Sequence, residues 1–135
     1  MIKGLPIAVA ACLVAGCLKS IPFQPPPTEY EMWVKEGASM IEVQKATLEC
    51  GYPDPFNSGR YRRSMNEIVL SDLCMQASGF HYSSDRNWRT YMCPEAAWDR
   101  IPACRPGVPR PKRDPKRRLG SPFCQANSTS RICEP

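Results

Sequence analysis

The sequence is poor in most of what enzymes and metal sites are built from. It holds one histidine, His81, in 135 residues. No Cys-x-x-Cys pair occurs, and nothing around His81 has ligand-like spacing, which argues against zinc. No Gly-x-Ser-x-Gly turn surrounds any serine, and no glycine-rich phosphate loop is present. The neighbouring acids Glu29 and Glu31 lie beside a Pro-rich stretch, where nothing in the sequence would raise either pKa. These absences leave no catalytic residue, no cofactor and no metal ligand to name. Apolar runs are equally short. The longest, residues 5–16, falls well below the ~20 residues that span a hydrocarbon core. No segment alternates as a half-buried strand should.

What the sequence has is proline, cysteine and positive charge. Fifteen prolines and eight glycines are many for a compact core. Small loop-rich domains bury too little surface to be stable unaided and often need staples. Cys50, Cys74, Cys93, Cys104, Cys124 and Cys133 can supply them. Six cysteines allow fifteen pairings, and sequential pairing is the expectation. "MCPEAAWDRIPACRP" and "FCQANSTSRICEP" read as two versions of one unit: a Cys, eight or ten residues, a second Cys, one residue, then Pro. This suggests two small loops, Cys93–Cys104 and Cys124–Cys133, with Trp88, Tyr91 and Trp98 packed around the first. "DRNWRTYMC" is a candidate short helix.

Two helices are written more plainly. In "SMIEVQKATLEC", residues 39–50, Ser39 and Glu42 form a capping box. Met40, Val43, Thr47 and Cys50 share one face, with Ile41, Ala46 and Leu48 near it. Gly51 and Pro53 stop the helix. A second box, Ser64 and Glu67, opens "SMNEIVLSDLCMQAS", which stops at Gly79. Ile68, Val69, Leu73 and Cys74 form its apolar side. The fold class expected is therefore mainly α, small and disulfide-rich: two antiparallel helices plus an irregular disulfide-looped C-terminal half. Cys50–Cys74 is the favoured bridge between the helices.

The positive charge is local. The stretch "RPGVPRPKRDPKRR", residues 105–118, carries more net positive charge than the +5 of the whole chain. It reads either as a solvated Pro-rich linker or as an anion-binding strip of Arg105, Arg110, Lys112, Arg113, Lys116, Arg117 and Arg118. An anionic lipid, lipopolysaccharide phosphates or an acidic envelope protein would suit such a strip.

The N-terminus sets the compartment. Lys3 precedes the short apolar run, and "VAGC" at residues 14–17 closes it. This resembles the bacterial lipobox. The resemblance implies cleavage before Cys17, acylation of Cys17 and membrane attachment through the lipid. A rival "VAAC" ends at Cys12, but cleavage there leaves an odd number of thiols for pairing. Leu18, where inner-membrane lipoproteins often carry Asp, implies the outer membrane. Residues 1–16 then form the signal peptide, and 17–30 the anchor and Pro-rich tether. Residues 31–82 form the helical pair, and 83–135 the looped segment. At about 3.1 Å per residue the tether reaches on the order of 35 Å. Export argues against nucleic acid as the partner of the basic strip.

"EGASMIEVQKATLECGYP", residues 36–53, also resembles a motif of SmpA/OmlA-type outer-membrane assembly lipoproteins, through Gly37, Ser39, Glu42, Val43, Leu48, Gly51 and Pro53. That resemblance implies an accessory role in outer-membrane protein assembly and an antiparallel sheet after the helix. The function expected is a non-enzymatic outer-membrane lipoprotein acting as a structural or interaction module. The alternatives are a secreted or surface-displayed cationic binding protein and an envelope enzyme with an atypical site.

Overall fold

The computed structural model describes residues 25–83 and 92–135. The first helix, α1, spans Met40–Glu49. The Ser39 hydroxyl accepts a hydrogen bond from the Glu42 amide at 3.2 Å, satisfying one of the amides that a helix start leaves unpaired. The reciprocal half of the box is missing. The Glu42 carboxylate instead lies 3.9 Å from Arg113. Helix α2, Met65–Ala77, has the complete box: the Glu67 carboxylate accepts from the Ser64 amide at 2.7 Å, and the Ser64 hydroxyl accepts from the Glu67 amide at 3.2 Å.

Both helices end in the same way. Gly51 and Gly79 take positive φ, 97° and 86°. The amide two residues past each cap then turns back to a carbonyl of the last turn, Tyr52 to Thr47 at 3.0 Å and Phe80 to Met75 at 3.1 Å. This Schellman geometry pairs carbonyls that would otherwise be orphaned.

The two helices are antiparallel. Cys50 bridges Cys74, and farther along the chain the Tyr52 hydroxyl donates to Asp72, nearer the start of α2. Val43, Ala46, Tyr52, Met75 and Phe80 pack around that bridge. Trp33 closes this core from a two-residue strand, β1, Trp33–Val34, paired antiparallel with β2, His81–Tyr82. The sequence shows no sign of this pair, because two residues are too few to alternate. The Trp33 and Tyr82 rings meet edge-on at 5.3 Å, a favoured aromatic geometry.

The two disulfide loops cover the remaining faces. The Cys93–Cys104 loop packs on Val69 and Leu73 of α2, and the Ala103 amide donates to Asn66 at 2.8 Å. The Cys124–Cys133 loop packs on Leu48 of α1, which is fully buried. Burying such a leucine contributes about 1.5–3 kcal/mol. All three bridges are therefore sequential, with Cα separations of 5.2–5.4 Å.

The face assignments hold with exceptions. Val43, Ala46, Thr47, Leu48 and Cys50 are buried, but Met40 is 61% exposed. Met75 is fully buried on α2 although it lies outside the apolar side expected from the sequence. Residues 105–118 are not simply an extended linker. A short helix, α3, spans Pro115–Leu119 and packs on α1, followed by α4, Pro122–Ala126. Each carries Pro at its start, with Asp114 and Ser121 as caps. Pro at the first helical position removes an amide that would be unpaired there and presets φ. Trp88, Tyr91 and most of "DRNWRTYMC" lie outside the described residues; Trp98 is partly buried.

Candidate functional site

The basic strip divides into residues the protein uses on itself and residues it leaves outward. The dividing feature is Glu49, the last residue of α1 and 5% exposed. Its carboxylate accepts from Arg113 Nε at 2.6 Å and from Arg118 Nε at 3.0 Å. Its backbone carbonyl accepts from Arg117 Nη1 at 2.8 Å and from the Asp114 amide at 3.2 Å. Cations and amides are favoured at a helix C-terminus, where carbonyls are unpaired and the dipole is negative.

Arg118 goes deepest, at 3% exposure. Besides Glu49 it donates from Nη1 to the carbonyls of Ile132 and Glu134, at 2.6 and 2.5 Å. It thus fastens α1, α3 and the C-terminal segment together. This corrects the expectation that Arg118 binds an external anion: its anion is Glu49, and its side chain is almost wholly buried. Arg113 is largely committed to the same carboxylate, with Glu42 as its second acid. Arg105 is exposed and donates from Nε to the Trp98 carbonyl at 3.1 Å. Arg110, Lys112 and Lys116 are exposed, and their side chains have no hydrogen bond or ion pair among the described residues.

A groove of about 440 Å³ opens beside the clasp. Cys50, Pro53, Leu70 and Pro111 supply its apolar lining, and Arg62, Arg63 and Arg117 its positive charge. Gly51 shapes one wall. A Cβ there would lie 3.3 Å from Ser71 Oγ and 3.5 Å from Arg117 Cδ, so glycine lets α2 and α3 converge on the end of α1. Arg63 sits over the Tyr52 ring, its guanidinium carbon 5.0 Å from the centroid, and donates to the Glu67 carbonyl at 3.0 Å and to the Ser71 hydroxyl. Neither Arg62 nor Arg63 belongs to the basic stretch that sequence reading singled out. "RYRR" at residues 60–63 was the available signal, and it reads as part of a loop.

Behind the groove wall lies a buried polar chain. Trp33 Nε1 donates to the Tyr52 hydroxyl at 3.2 Å, and that hydroxyl donates to Asp72. Burial and the adjacent carboxylate push the Tyr52 hydroxyl well above its usual range. Glu29 differs from its expectation. Burial raises its pKa above 4.5, with Asp72 and Asp54 adding to the rise and Arg63 opposing it. The charges that act on it come from distant parts of the chain. Glu31 is lowered instead, because it accepts from the Thr28 hydroxyl and amide.

His81 is exposed on β2. Among the described residues no group of three or more His, Cys, Asp or Glu side chains is placed to hold a metal ion. Among them, too, no helix is long and apolar enough to cross a membrane. Cys17 lies outside the described residues. No family model, curated protein or solved structure matches the chain.

Proposed function

We propose that the chain is a lipid-anchored bacterial envelope lipoprotein of the outer membrane, and that its disulfide-braced helical domain is a non-enzymatic structural or interaction module. The observation that carries this reading is the thiol count. Three bridges use every cysteine after Cys17. Cleavage before Cys17 therefore leaves one cysteine outside the bridges, at the position where the lipobox-like "VAGC" calls for acylation. Disulfides persist in oxidising compartments such as the periplasm, which agrees with export. Two or three acyl chains on one residue would hold the protein firmly, since each buried CH₂ contributes about 0.8 kcal/mol. Anchoring raises the effective concentration of the domain toward any partner on the same membrane.

The test is the intact mass of the protein extracted from native membranes, with alkylation before and after reduction. The expected result is residues 17–135 plus acyl chains, with six thiols appearing only on reduction. Replacing Cys17→Ser should abolish the acyl mass. An unlipidated mass in the soluble fraction would refute the anchor.

A further inference from the structure

We propose that the groove between the 53–63 loop, α2 and α3 binds the phosphate headgroup of an anionic phospholipid. Among the described residues, three guanidinium groups face one carboxylate on its lining, that of Glu67. Glu67 is already engaged, its Oε2 accepting from the Ser64 amide and hydroxyl at 2.7 and 2.8 Å. The guanidinium groups are not spent. Arg62 has no hydrogen bond or ion pair among the described residues. Arg117 uses Nη1 on the Glu49 carbonyl and Arg63 uses Nη2 on Glu67 and Ser71. A guanidinium has five N–H donors in a planar fork suited to phosphate, so most donors in the groove remain available.

Two further features select a lipid over another anion. The lining between the arginines is apolar, through Pro53, Leu70 and Pro111, and would lie against the glycerol and ester carbons above a phosphate. The chain also joins the domain at this loop: the Tyr30 amide donates to the Pro55 carbonyl at 2.9 Å, and Glu29 lies close enough to Arg63 to feel its charge. The tether and the groove thus share one loop. The choice of lipid rests on the anchor reading, which places a membrane within reach of that loop.

The test uses the whole mature chain exported behind a non-lipoprotein signal with Cys17→Ser, so that no acyl chain contributes. Co-sedimentation is measured with vesicles rich in phosphatidylglycerol and with vesicles of phosphatidylcholine alone, at low and high salt. Binding is expected only to the anionic vesicles and should weaken with salt. Arg62→Gln should weaken it about fivefold, as for one basic residue lost near an anionic surface. Arg117→Gln should do the same, with far-UV circular dichroism confirming the fold. Arg100→Gln removes an equal charge from an exposed position in the first disulfide loop and should change nothing. An equal loss in Arg100→Gln and Arg62→Gln would overturn the groove in favour of net charge. Capture of a polyglutamate peptide without vesicle binding would overturn the lipid assignment. The assay lacks the acyl group, so its failure leaves the anchor reading intact, and an unlipidated native mass would leave the vesicle result standing.

Discussion

Replacing Glu49 with Ala should be far more damaging than the loss of an ordinary surface acid. Exposed ion pairs contribute ~0–1 kcal/mol. Here the side chains of Glu49 and Arg118 are 7% and 4% exposed. Removing the carboxylate leaves the Arg118 guanidinium buried with, among the described residues, only the Ile132 and Glu134 carbonyls as partners. Breaking a buried pair in this way costs about 3–5 kcal/mol. For a domain of this size the melting temperature falls by roughly 4–8 °C per kcal/mol, so a drop on the order of 12 °C or more is expected. The assay is urea and thermal unfolding with the disulfides intact, followed by circular dichroism. Arg118→Met should cost a comparable amount. The double variant Glu49→Met with Arg118→Met should cost clearly less than the sum, because apolar side chains often replace a buried pair at little cost. A single-variant loss below about 1 kcal/mol, or strict additivity in the double variant, would refute the claim that this pair fastens the C-terminal half to α1.

Glu29 carries a pH signature of opposite sense to most carboxylates. Its folded pKa lies above 4.5, so the folded state favours the protonated acid, and ionisation at neutral pH works against folding. Glu29→Gln is therefore expected to raise the melting temperature at pH 7 and to lose that advantage as pH falls through the raised pKa toward 4.5; a variant less stable than the parent at pH 7 would contradict this. Replacing both Cys50 and Cys74 with Ala opens a loop with a sequence separation of 24. The chain-entropy model puts the loss at about 3.5 kcal/mol, to be read from the urea midpoint, and an unchanged midpoint would count against it.

The parts of this fold that the sequence discloses are those made by neighbours. Ser39 and Ser64 announce their helices because a cap acts within three residues, and Gly51 and Gly79 end them for the same reason. The spacing of the six cysteines favours sequential pairing without fixing it among fifteen possibilities, and the structure has that set. Legibility ends where an interaction spans the chain. Glu49 and Arg118 are 69 residues apart, and charge sign alone does not say that an arginine in a basic run will be buried on a particular glutamate. Glu29 acquires its environment from Arg63, Asp72 and Asp54 in the same way. The short helices α3 and α4 were within reach of closer reading. Asp-Pro at 114 and Ser-Pro at 121 are cap-and-start signatures, but the surrounding prolines and arginines favour an extended reading of the same residues.

The sequential order of the three bridges also bears on how the protein matures. Each of the six cysteines after Cys17 is joined to the next one in sequence, Cys50 to Cys74, Cys93 to Cys104 and Cys124 to Cys133. A chain threaded N-terminus first into an oxidising space presents its thiols in that same order. With Cys17 taken up by its acyl chain, each of the six thiols then meets its native partner before another of the six has emerged. Simple vectorial oxidation then yields the native set out of the fifteen possible, with no need for an isomerase to break a wrong bridge.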